Sequence, residues 1–282
     1  MIDTLLSIAP SGILQGLVLS ILVIGIMIPF RILNFPDLTA EGSYPLGACL
    51  SGTMIVFGIN PLLSLICGAI CAGIMGIGTA IVHLKYKVNT LLAGIILSTM
   101  IYSINLRIMG KPNIALFDHP TIFNNITSGI SGQIIILAGI NLGLMLLLYL
   151  FLITEKGLQF RAIGFNQDVA KKFGIKINSN TILGLFLGNS AAGLAGGLLV
   201  QIYGYVDIGM GVGIVIHALA AMMIGEKIIG TNNNNIAKII IAPFVGAIIY
   251  QQIQGIALAA GLAPSDLKLL TGAIVLAVIA VK

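Results

Sequence analysis

Long apolar runs separated by short polar joints make up most of this chain, and the length of the runs is their most informative property. Nine stand out, at roughly 10–30, 38–57, 61–84, 88–108, 133–153, 181–203, 210–229, 237–259 and 266–281. Runs near 20 residues suit helices crossing a hydrocarbon layer about 30 Å thick, whereas the strands of a membrane barrel alternate over about 10 residues. The expected fold is therefore all-α: a polytopic transmembrane helical bundle of about nine spans, some of them broken, in one domain over 1–282. Small residues recur at helical spacing, at Gly12/Gly16, Gly139/Gly143, Gly184/Gly188 and Gly193/Gly197. In lipid such pairs predict close backbone crossings between helices.

One long polar segment interrupts the pattern. Thr154–Asn180 carries Lys156, Arg161, Lys171, Lys172 and Lys176 against Glu155 and Asp168. Lys and Arg next to span ends resist translocation, so this loop is expected on the cytoplasmic side. Alternation then puts the N-terminus outside and Lys282 inside. Eleven of the 14 basic residues fall inside on this scheme, and Arg107, Lys111 and Lys268 fall outside. Shifting the count by one span would invert that bias. Within the loop, Asn166 is placed to cap a short helix over Gln167–Phe173. Asp168 lies in its first turn, Lys171 and Lys172 in its last, and Gly174 where a left-handed residue is wanted. Val169 and Phe173 share one face of that helix. Such a ridge suits either a groove on a soluble partner or the lipid headgroups.

Composition sharpens the class. The chain is 58% hydrophobic and 8% charged, against about 25% charged for a soluble domain. Its net charge of +5 sits at span ends and not on one face, so nucleic acid is not an expected partner. Cys49, Cys67 and Cys71 all lie inside apolar runs without polar companions, and no metal site is expected. The first residues lack a basic n-region, so no cleavable signal is expected.

The second informative stretch is Arg31–Ser51. Pro29, Pro36 and Pro45 are expected to break regular helix, while Asn34, Asp37, Thr39, Glu41 and Ser43 crowd polar atoms where a span begins. Irregular backbone at membrane depth survives only when it lines a cavity or is buried in protein. These residues, with Asn105 and Asn189 from other spans, are candidates for a translocation path. The competing reading is a cytoplasmic connector in which Arg31 pairs with Asp37. His217, alone in an apolar run, reads as a packing residue. Gly110–Gly132, the longest external segment, offers either a docking surface or a plain connector. No G-x-x-x-x-G-K-[ST], HExxH, paired CxxC or GxSxG sequence occurs, so no nucleotide, metal or hydrolase chemistry is expected of the chain itself.

The phrases NFPDLTAEGSYPLGA (34–48) and LLAGIILSTMIYSINLRIMGKPNI (91–114) resemble permease subunits of ABC-type importers of the branched-chain amino acid and ribose type. Thr154, Gly157, Arg161, Ala162, Gly164, Ala170, Gly174 and Ile175 match that group's cytoplasmic coupling loop. The resemblance spans nearly the whole chain and is closest to the subgroup for aromatic amino acids such as tryptophan or tyrosine. It implies a homodimer in the bacterial inner membrane that takes up an amino acid delivered by an extracytoplasmic solute-binding protein. Cytoplasmic ATPase subunits, holding ATP and Mg, would dock on Arg161, Gly164, Asn166, Asp168, Val169, Ala170, Lys172, Phe173 and Gly174. This chain would hold no cofactor. Against it stand an ion-coupled secondary transporter using Asp37 or Glu41, and a channel or structural subunit.

Overall fold

The computed structural model describes residues 2–124, 129–231 and 235–280. Asn125–Ser128 of the external segment and Lys282 lie outside the described residues. Helices occupy all nine apolar runs, but among the described residues seven are long and apolar enough to cross a membrane. The expected count of nine falls short at two places. Helix α1 (Ile2–Met27) runs on through a π turn (Ile28–Ile32), after which the chain is unwound to Leu38. Helix α2 (Ala40–Val56) therefore keeps only 17 residues, about 26 Å at 1.5 Å each. The last helix, α11 (Leu267–Ala280), has 14.

The remaining long helices are α3 (Pro61–Tyr86), α4 (Thr90–Met109), α5 (Ile130–Ile153), α8 (Ile177–Tyr203), α9 (Ile214–Ile229) and α10 (Ile236–Ala259). Caps explain several boundaries. The Asn60 side chain accepts from the Leu62 N–H at 2.9 Å and Asn89 from Leu91 at 3.0 Å, while Gly110 ends α4 at φ +68°. Between α5 and α8 come two short helices, α6 (Glu155–Phe165) and α7 (Gln167–Lys172).

The helices gather into two compact units. One comprises 24–125 and 150–215, and its centre is α2 packed between α3 and α8. Glycines make that contact possible. A Cβ on Gly47 would lie 2.5 Å from the Gly193 Cα and carbonyl carbon, and one on Gly196 would strike the Tyr44 carbonyl. One end of this unit is closed by an antiparallel pair, β1 (Asn113–Ala115) and β2 (Tyr205–Asp207), which no pattern in the sequence announced. Ile55, Met109, Ile114, Leu116, Val200 and Val206 share a core there. Gln201 ties the same end together: its amide donates to the Pro61 carbonyl at 3.1 Å, and its oxygen accepts from the Ile122 N–H at 3.0 Å.

The other unit comprises 1–23, 126–149 and 216–282. In it Gly12 and Gly16 of α1 abut Gln252 and Ile248 of α10, and Gly225 and Gly246 bring α9 and α10 into backbone contact. Asn141 is fully buried and donates to the Leu17 carbonyl at 2.9 Å, a polar link between α1 and α5. His217 packs on Tyr250 with ring centroids 5.9 Å apart, as a packing residue should. Gly139 and Gly143 make no such crossing among the described residues of this chain, where nothing lies within 4 Å of a Cβ at either. An apolar stripe alone does not say whether a helix lies behind it.

Candidate functional site

The polar loop folds into two capped helices. Thr154 caps α6 by accepting from the Gly157 N–H at 3.3 Å, and Asn166 caps α7 by accepting from Val169 at 3.0 Å. Gly174 has φ +75° and lets the chain leave α7 left-handed. Helix α6 escaped the sequence reading, although Phe160 and Ile163, three apart and both buried, mark its inner face. That face meets the π turn directly: a Cβ on Gly164 would fall on the Ile32 carbonyl oxygen. Phe151 and Phe160 pack edge to face at 5.2 Å.

The outer face carries large side chains in solvent. Phe165 is 90% exposed, Phe173 80% and Val169 46%, whereas Ala170 is buried. Asn166, Asp168, Lys172 and Gly174 are exposed around them. Arg161 is half-buried, and its Nε has no partner among the described residues. A cavity of about 710 Å³ lies alongside, walled by Phe35, His83, Asp168, Lys171, Lys176 and Ser179 among others.

The broken segment lies on the other side of the π turn. Pro29 has no N–H for the Gly25 carbonyl, and Gly188 of α8 packs on that freed oxygen, where its Cβ would come within 2.8 Å. The Leu33 N–H reaches the Ile28 carbonyl at 3.1 Å and Phe35 the Pro29 carbonyl at 2.8 Å, which completes the widened turn. Asn34 is exposed with φ +53°. Asp37 then turns inward and is 2% exposed. Its carboxylate accepts from the Thr39 N–H at 2.9 Å, from the Thr39 hydroxyl, and from the Asn189 amide at 2.8 Å. The Thr39 and Thr79 hydroxyls pair at 2.6 Å. Asp37, Thr39, Thr79 and Asn189 thus lock the unwound segment to α3 and α8. The Ser43 hydroxyl and the Asn189 amide oxygen, both buried, have no partner among the described residues.

Glu41 and Asn105 sit elsewhere. They line a second cavity of about 210 Å³ between α2, α4 and the 3-10 turn Ile208–Gly211. Pro45 proves to lie inside regular helix and not at a break. It does free the Glu41 carbonyl, and Gly211 packs onto that oxygen. Six of the seven expected path residues therefore divide into an exposed turn (Asn34), a buried lock (Asp37, Thr39, Asn189) and one cavity (Glu41, Asn105), while Ser43 is buried in none of them, and Thr79 and Gly211 are partners the sequence did not single out.

Apolar spans, a helix broken around buried polar groups and an exposed capped loop together define a membrane-embedded transport subunit. The chain belongs to the family described as branched-chain amino acid transport system / permease component, which matches residues 8–279. It is 38% identical over 266 residues to the tyrosine transport system permease protein of Clostridioides difficile (strain R20291), covering 94% of this chain and 88% of that one. It is 35% identical over 260 residues to an uncharacterized protein of Rickettsia prowazekii (strain Madrid E), covering 92% and 91%. No solved structure matches the chain. It is the membrane-spanning permease subunit of an ATP-driven amino-acid importer, a multi-pass protein of the inner membrane.

Proposed function

We propose that the chain imports an aromatic amino acid, tyrosine foremost, as a homodimer driven by two cytoplasmic ATPase subunits and fed by an extracytoplasmic solute-binding protein. ATP and Mg are held by the ATPases. The single observation that carries the coupling role is the capped α6–α7 loop, which exposes Phe165, Val169 and Phe173 while its other face packs on the π turn at Ile32. Exposed aromatic side chains on a rigid, capped element suit a groove in a soluble partner. Arg161, Gly164, Asn166, Asp168, Ala170, Lys172 and Gly174 hold or flank that ridge. The substrate class comes from the tyrosine transport relative.

The topology on this reading is nine crossings, with the N-terminus outside and the C-terminus inside. Two groupings within the unit of 24–125 and 150–215 support its share of those crossings. Phe35, the end of α3 and the start of α8 meet around the cavity beside Asp168, while the ends of α2, α4 and α8 meet at the β pair. The unwound segment and α2 together thus carry the chain from one end to the other. The substrate passes along the α2–α4 face, where Glu41 opens into a cavity, and the Asp37–Asn189 lock fixes the segment that gates it.

The test is co-purification of the ATPase. Phe173→Asp and Val169→Asp insert normally and lose the ATPase; wild-type recovery from both variants would refute the coupling role. ATP-dependent uptake of labelled tyrosine into proteoliposomes holding the whole complex tests the substrate.

A further inference from the structure

Glu41 is an ionisable side chain in a place lipid does not tolerate. Its cavity is walled on α4 by Ser98, Thr99, Tyr102 and Asn105. These positions are 8 to 15 residues into that helix, about 12 to 22 Å along it, so the cavity lies near mid-membrane. Thr99 and Tyr102 are exposed at the surface of the chain, and Glu41 is half-buried. The carboxylate takes one backbone hydrogen bond, from Gly213, and at that depth its remaining lone pairs must face water or a further partner rather than hydrocarbon.

The lining has one sign. No lysine or arginine contributes to it, and Glu41 is its only charge. Asn105 is fully buried, donates weakly to the Gly42 carbonyl at 3.4 Å, and leaves its amide oxygen without a partner among the described residues. That oxygen belongs to a residue lining the same cavity. A carboxylate and an unpaired buried acceptor together call for a ligand that only donates, and an ammonium group donates three times and accepts nothing. The Tyr102 ring adds a face that attracts cations. The volume, about 210 Å³, fits the head of an amino acid. Ser98 and Thr99 offer a ligand no donor, since both hydroxyls donate back to their own helix at 2.9 and 2.8 Å, which leaves their oxygens as acceptors.

We propose that Glu41 and Asn105 form a cation-selecting subsite, which receives the ammonium group of the passing substrate and rejects anions. This rests on the reading of the α2–α4 face as the path, and the experiment separates the two. In a variant with Cys49, Cys67 and Cys71 replaced, Thr99→Cys is introduced and the complex assembled with its ATPase. The cysteine is then modified with a trimethylammonium or a sulfonate methanethiosulfonate, and rates are normalised to a free thiol. The cationic reagent should react about tenfold faster. Glu41→Gln should bring the ratio to about one, and Glu41→Asp should restore the preference. Tyramine, which has the ammonium alone, should slow the modification severalfold. 3-(4-Hydroxyphenyl)propionate, which has the carboxylate alone, should leave it unchanged. A preference that survives Glu41→Gln, or equal protection by both compounds, overturns the subsite and leaves the path intact. Failure of both reagents to reach Thr99→Cys overturns path and subsite together.

Discussion

Replacing Gly47 with alanine puts one methyl group where α2 meets α8. The new Cβ would lie 2.5 Å from two carbon atoms of the Gly193 backbone. Carbon atoms in contact sit about 3.5–4.0 Å apart, so the helices must separate by about 1 Å. Neither side can yield by a rotamer change, because the atoms struck are backbone. A gap of that size forfeits a quarter to a half of the dispersion energy at the contact, and overpacked sites lose about 1–3 kcal/mol. Alanine returns about 1 kcal/mol through helix propensity. The net expectation is a loss of up to about 2 kcal/mol. Gly78→Ala on α3 is the control, because its Cβ would meet only the tip of Leu97 at 3.4 Å, an ordinary contact. The assay is thermal unfolding of the purified protein in detergent. Gly47→Ala should lower Tm by several degrees, at about 2–4 °C per kcal/mol, while Gly78→Ala leaves it unchanged or raises it. Equal Tm values for the two variants would show that the α2–α8 contact is not backbone on backbone.

Other outcomes follow from the same contacts. Asn189→Ala removes the amide that donates to Asp37 and should cost about 1–3 kcal/mol, read as a lower Tm; Asp37→Asn in the same background should recover part of it, because the uncompensated charge is gone. Asn166→Ala deletes the α7 cap and should cost about 1 kcal/mol locally, visible as faster amide exchange over 167–172 and weaker ATPase retention, with little change in global Tm. Gly211→Val should strike the Glu41 carbonyl and close the small cavity, so that uptake falls while ATPase co-purification persists.

Much of this molecule is legible as text because lipid enforces simple rules. A helix must satisfy its own backbone in hydrocarbon, so the apolar runs alone place the long helices to within a few residues. Local hydrogen bonding is equally direct: Asn166, Asp168 and Gly174 announce α7 because a cap, its dipole and a left-handed exit depend only on neighbours in sequence. Helix α6 was missed because its buried face, Phe160 and Ile163, is too short a pattern to stand out among charges.

Chain distance explains the rest. That Asp37 meets Asn189, 152 positions away, is a fact about how α8 lies beside the unwound segment, and neither residue carries a mark of the other. The prolines show the same limit. Pro29 and Pro45 both free a carbonyl, yet one stands at a π turn and the other inside regular helix, and each carbonyl is covered by a glycine from a remote stretch, Gly188 and Gly211. By itself the sequence determined that this is a helical membrane protein with one structured, basic loop, since burial in lipid and capping act locally. Only the tertiary structure decided which polar groups are locked away and which, like Glu41, open into a cavity, because that depends on which helices come to stand next to one another.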